Sequence, residues 1–181
     1  MAQLQTSDML DLDTLQDGLP GISPSWGRFL AEASAVCLHH HNHIRGVHLR
    51  VTGSFQVALE MHWTITIDDQ VLRSWADEQE LAEYGACGIA VLAILKLAGF
   101  KVIRRARKGT GVDYWLAETD QDLPFQEAAR LEVSGILAGS EVELSNRTRQ
   151  KTAQTQRSSC ALPAYVVVVE FSTPRSHVVQ A

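Results

Sequence analysis

Near the end of the chain, residues 165–171 read YVVVVEF, a near-continuous run of β-branched and aromatic side chains. Such residues favour extended backbone. A strand that is apolar on both pleat faces must be covered on both, so this segment belongs at the centre of a sheet with helices on either side. That requirement points to an α/β domain.

The residues upstream supply the helices. Ser140 with Glu143 three residues later is a capping box, which satisfies two N–H groups orphaned at a helix start. The helix is expected to run to about Arg157, and Pro163 stops the connection. Before it, three strands are expected over residues 101–105, 111–117 (GVDYWLA) and 129–137 (ARLEVSGIL). Glycines 109 and 111 and the loop ETDQDLPF separate them. A helix over residues 77–98 precedes them, apolar nearly all round from Tyr84 and ended by Gly99, as a buried helix would be.

Toward the N-terminus, Ser23 can cap a helix with Pro24 at its first position, and Trp26, Phe29, Leu30, Ala33 and Cys37 recur at helical spacing. This helix should end near residues 39–45. Val47, Leu49 and Val51, then Phe55, Val57, Leu59, Met61, Trp63, Ile65 and Ile67, alternate with period two and predict a β-hairpin turning at residues 52–54. Residues 1–22 are acid-rich and run into DGLPGISP, the composition of a flexible lead. The expected organisation is a lead over 1–22, a helix and hairpin extension over 23–76, and an α/β core over 77–181 that forms one compact domain with the extension.

Composition excludes several classes. At 181 residues, 45% hydrophobic and 20% charged, the chain fits one globular domain rather than a disordered or fibrous one. The apolar run at residues 89–97 is broken by Lys96 and is too short to span a bilayer, and acids stand where a secretory signal needs a basic and then an apolar region. A cytoplasmic protein without a membrane partner is expected. Cys37, Cys87 and Cys160 are odd in number and lack CxxC spacing, so neither a disulfide framework nor a zinc knuckle is indicated. A net charge of −5 argues against polyanion binding over the whole surface. Basic residues are nonetheless concentrated at 101–108 (KVIRRARK) and 147–157.

The order helix, three strands, helix, strand places Asp113 on the second strand and Glu132 on the third, as neighbours across the sheet. Two carboxylates side by side repel unless a cation lies between them, and hard oxygen ligands suit Mg2+ or Mn2+. Such an ion polarises a phosphodiester and lowers the pKa of an attacking water. With GVDYWL and LEVSG, this order resembles the PD-(D/E)XK nuclease superfamily over residues 77–171. The resemblance implies a restriction-endonuclease-like core and metal-dependent hydrolysis of phosphodiester bonds in DNA or RNA. Asp113 and Glu132 would be metal ligands, joined by a glutamate of the first helix, Glu83 first and Glu80 second.

One position departs from the superfamily's E-x-K: Glu132 and Val133 are followed by Ser134, and a hydroxyl brings no positive charge to the transition state. In the superfamily the lysine sometimes moves to the following helix, where a glutamine also recurs. Arg147, Lys151 and Gln154, spaced i, i+4 and i+7, share a helical face there. Lys151 is thus the candidate displaced lysine, with Gln154 beside it, while Arg104, Arg105, Arg107 and Arg147 are candidate nucleic-acid contacts. The alternative is a catalytically degenerate nuclease fold kept as a binding or assembly subunit. On either reading a protein partner or homodimer is expected, and a mobile-element or defence setting accompanies the resemblance.

Other features have plainer readings. The run RRARK is either a phosphate-facing strip or an edge strand guarded by charge. His39, His40, His41 and His43 sit together at a helix end, where imidazoles suit the dipole, and their HNH letters do not make a ββα-metal nuclease. Trp63, Trp75 and Trp115 read as core. Ser134 and His177 come without a G-x-S-x-G elbow.

Overall fold

The computed structural model describes residues 8–157 and 160–181 and shows a mixed α/β fold around one eight-stranded sheet. Its strands are β1 (Met9–Asp11), β2 (His48–Gly53), β3 (Val57–His62), β4 (Phe100–Arg105), β5 (Tyr114–Glu118), β6 (Ala129–Ile136), β7 (Ala164–Glu170) and β8 (Arg175–Gln180). They lie in the order β1-β3-β2-β8-β7-β6-β5-β4. The helices are α1 (Pro24–His40), α2 (Asp69–Ser74), α3 (Glu78–Ala98) and α4 (Glu141–Gln156).

From β4 to β6 neighbouring strands are antiparallel, and β6 and β7 are parallel, with α4 as their crossover. The YVVVVEF run becomes β7, fully buried and flanked by β6 and β8. Val167 and Val169 enter the main core, whereas Val166 and Val168 pack with Leu144 of α4 on the opposite face. Each face of that strand thus removes apolar side chains from water, at about 1.5–3 kcal/mol per fully buried valine.

Helices α1 and α3 stack together on the main-core face. The Ser23 hydroxyl accepts from Trp26 N at 3.3 Å, and Asp77 accepts from Gln79 N and Glu80 N at 2.9 Å each, so both helices start on side-chain caps. Gly99 ends α3 with a left-handed φ of 71°. Among the described residues α3 is also the one helix long and apolar enough to cross a bilayer, which the shorter apolar run at 89–97 did not suggest. Two-thirds of its most apolar stretch is buried by α1, β4, β6 and β7, the environment of a core helix.

The N-terminal region needs correction. Residues 8–22 do not form a flexible lead: β1 pairs in parallel with β3, a 3-10 helix covers Leu12–Asp17, and Leu10, Leu12, Leu15 and Ile22 enter the core. The acids there stay near solvent while the leucines between them turn inward. Residues 1–7, also assigned to that lead, lie outside the described ones. The hairpin of β2 and β3 turns at 54–56, slightly later than expected, and β8 joins it to the rest of the sheet by pairing in parallel with β2. Strand β4 is the outer strand at the far edge, where Gly21 N donates to Val102 O at 3.0 Å and partly covers the open backbone.

Candidate functional site

Asp113 lies one residue before β5 rather than within it. Its N–H donates to Leu131 O at 2.9 Å and its carbonyl accepts from Ala106 N at 2.8 Å, which fixes it between the ends of β4 and β6. Its side chain then takes the Val133 N–H, with Oδ2 accepting at 2.8 Å, where a strand carbonyl would otherwise pair. Because Tyr114 faces Leu131, continuing the register sets Asp113 opposite Glu132, with the two side chains on one face of the sheet.

Glu132, buried in β6, points toward α4. Lys151 Nζ lies 2.6 Å from its Oε1, and Gln154 Nε2 donates to the same oxygen at 3.3 Å. Two residues along the strand, and so on the same face, the Ser134 hydroxyl accepts from Arg147 Nη1 at 3.1 Å. The spacing i, i+4, i+7 on α4 therefore meets the spacing i, i+2 on β6. Four of the residues singled out from the sequence, Asp113, Glu132, Lys151 and Gln154, come together.

Charge is poorly balanced there. Burial pushes the Asp113 carboxyl up, opposed by the Val133 N–H and the Lys151 charge and reinforced by Glu83. Glu132 is pushed up to about 7 by burial and then by the Asp113 charge, against the pull of Lys151. Two acids thus face each other in a largely buried site with one ammonium between α4 and the sheet.

Glu83 approaches from α3. Gly135 lets the end of β6 press against that helix: a Cβ there would lie 1.9 Å from Ala82 O. Glu83 and Asp113 line one cavity of about 370 Å3 with Tyr84, Cys87, Arg105, Arg107 and Lys108. Glu80, in the first turn of α3, is not among the residues lining it. Among the described residues no three His, Cys, Asp or Glu side chains form a ready-made metal cage, so Glu83 shares the cavity without closing on the other two acids. Burial raises the Cys87 thiol far above neutrality, which removes a thiolate nucleophile from consideration.

The arginines divide. Arg104 pairs with Glu127 and lies over the Trp115 ring, 5.6 Å from its centroid; Arg105 lies 4.3 Å from the centroid of Trp26. Arg105 and Arg107 line both the 370 Å3 cavity and a second one of about 450 Å3. Arg147 belongs with Ser134 instead. A surface hollow of about 640 Å3 between residues 17–24 and β4 has Asp17 as its one lining acid and takes in neither Asp113 nor Glu132.

The remaining candidates have structural roles. His41 bonds Leu137 O at 2.6 Å and His43 bonds Phe171 O at 3.0 Å, so these imidazoles tie the end of α1 to neighbouring carbonyls. His177 meets the Thr52 hydroxyl at 3.1 Å. Trp63 and Trp75 are core, but Trp115 is not: it is half-buried and forms a cavity wall. Its two-residue spacing from Asp113 was the available signal, since it puts both on one face of the sheet. Compared with models of known protein families and with curated proteins, the chain matches none.

Proposed function

We propose that the protein is a metal-dependent phosphodiesterase of the PD-(D/E)XK kind, with a restriction-endonuclease-like core, acting on DNA or RNA. The observation that carries this reading is the 2.6 Å contact of Lys151 Nζ with Glu132 Oε1, opposite Asp113. It puts an ammonium beside the acid pair from α4, while Ser134 occupies the E-x-K lysine position. The succession α3, β4, β5, β6, α4, β7 also supports it, because that is the order of elements the resemblance implies.

The donor set suits a Mg2+ or Mn2+ ion: two facing carboxylates, both pushed above their ordinary range by burial and then by the acids beside them, with Glu83 as a further acid in the adjoining cavity. When bound at Asp113 and Glu132, such an ion would supply Lewis acidity toward a phosphate. The chain's own residues have separable tasks. Lys151 offsets negative charge that develops on phosphoryl oxygens, Gln154 orients Glu132, and Arg147 offers a planar cation to a neighbouring phosphate. Burial and the Asp113 charge disfavour the ionised form of Glu132, and a cation at the pair would favour it. With a net charge of −5, a second copy or a protein partner would help to hold nucleic acid, in the cytoplasm.

The competing reading, a degenerate assembly subunit, draws on the Arg147–Ser134 bond and on the neutralisation of Glu132 by Lys151 within the protein. Metal titration by calorimetry beside a cleavage assay separates the two. For an active site, Lys151→Ala should lower turnover about 100-fold or more with metal affinity nearly intact, and Asp113→Ala should remove both. A wild type that binds no divalent cation at millimolar concentration, with or without nucleic acid, would end the nuclease reading.

A further inference from the structure

Trp115 differs from the tryptophans buried in the core. It projects from β5 between Arg104 of β4 and Arg130 of β6, its cross-strand partners. With Arg104, Arg105, Arg107 and Thr110 it lines a cavity of about 450 Å3, and no carboxylate is among the lining residues. Two positions along the backbone, about 6.6 Å away, Asp113 begins the acid pair on the same face of the sheet. A half-buried indole beneath the Arg104 guanidinium, in a cavity also lined by Arg105 and Arg107, combines a flat stacking surface with phosphate-attracting charge.

We infer that this cavity is a subsite for an unpaired nucleobase and its phosphate, so that the protein takes single-stranded nucleic acid across the edge formed by β4 and β5. The inference rests on the nuclease reading for its place beside the chemistry, but not for the binding itself. Any base offers a π-face to an indole, whereas a base within a duplex is already stacked on both sides. Arg104 now lies over the ring, held by its ion pair with Glu127. An entering base takes that place and the guanidinium turns to the phosphate. Glu127 therefore competes with the ligand.

The test uses the full chain in EDTA at low salt, with a fluorescein-labelled 12-mer oligothymidylate and a duplex of equal length, read by fluorescence anisotropy. The single strand should bind more tightly than the duplex. Trp115→Ala should weaken single-strand binding about tenfold and leave duplex binding unchanged, Trp115→Phe should retain most of it, and Glu127→Gln should strengthen it. Circular-dichroism melting checks that each variant is folded, and the phenylalanine variant keeps the test decisive if the alanine variant is not. Equal single-strand affinity for wild type and Trp115→Ala, preference for duplex, or no binding of either probe would overturn the inference. Hydrolysis of bis(p-nitrophenyl) phosphate with Mn2+ is measured in parallel. Hydrolysis without a role for Trp115 refutes the subsite alone, and Trp115-dependent binding without hydrolysis refutes the nuclease reading alone.

Discussion

Adjacent strands of this sheet each bury a glutamate, and the two are treated in opposite ways. Glu170, at the end of β7, accepts from Gly139 N at 3.2 Å, Ser172 N at 2.8 Å, Thr173 N at 3.1 Å and Arg175 Nε at 3.0 Å, and also pairs with the Ser172 hydroxyl. Those donors outweigh burial and hold its carboxyl below the ordinary range. Glu132, on β6, has Lys151 and Gln154 but faces Asp113, and is pushed up to about 7. One carboxylate is saturated with donors from the turn that follows it and from Gly139 ahead of α4. The other is left short of positive charge beside a second acid. Buried acids of the first kind hold a fold together; those of the second kind are poised to gain a ligand or a proton.

The largest effect on stability should come from the saturated glutamate. Glu170→Ala strands three backbone N–H groups and takes from Arg175 one of its acceptors, and should cost about 3–5 kcal/mol. Glu132→Gln keeps the shape and still accepts from Lys151 while removing repulsion with Asp113, so its stability should stay within about 1 kcal/mol of wild type. Urea denaturation of both variants checks this. Equal losses would mean that both acids are structural, and the contrast would collapse.

The same contrast has a pH signature. A carboxyl raised in the folded state binds its proton there before it does in the unfolded chain, so folding gains from Glu132 below its ordinary range, and this gain is lost as pH rises through about 7. For Glu170, lowered in the folded state, the stabilisation is present above the ordinary range and is lost as pH falls. Wild type should therefore lose stability relative to Glu132→Gln between pH 5 and 8, by an amount on the order of 1–2 kcal/mol. Melting curves that stay parallel across that window would show that the Asp113–Glu132 pair carries no strain.

Much of this was legible in the residues, for identifiable reasons. The capping box at Ser140, the β-branched run of β7 and the i, i+4, i+7 spacing on α4 are local patterns, and local patterns fix element order and the face a side chain takes. What was missed depends on distant partners. Leu10, Leu12 and Leu15 are too few for a periodic signal, and they order only because β3 and α1 offer them a surface. Strand β8 follows β7 after a four-residue turn whose geometry is set by the Glu170 carboxylate, a tertiary role that composition does not announce. Trp115 was read as core because an aromatic in an alternating strand usually is. Only the position of β5 beside an edge strand leaves its face open.

The smallest expected effect links the two glutamates. Gly139 N donates to Glu170, and the next residue, Ser140, opens α4: its hydroxyl accepts from Glu143 N at 3.2 Å, and the Glu143 carboxylate accepts from Ser140 N at 2.7 Å. Arg175, bonded to Glu170, also reaches Gly139 O at 2.7 Å and Glu141 at 2.8 Å. The saturated acid thus anchors the first turn of the helix that carries Lys151 to the frustrated one, three turns farther along. Ser140→Ala removes the cap but leaves these anchors, so it should cost about 1 kcal/mol and leave the Lys151–Glu132 contact, and with it the pH signature, unchanged. If Ser140→Ala flattens that signature as well, the position of Lys151 depends on the cap rather than on Glu170. The division between a structural and a poised glutamate would then have to be redrawn at the start of α4.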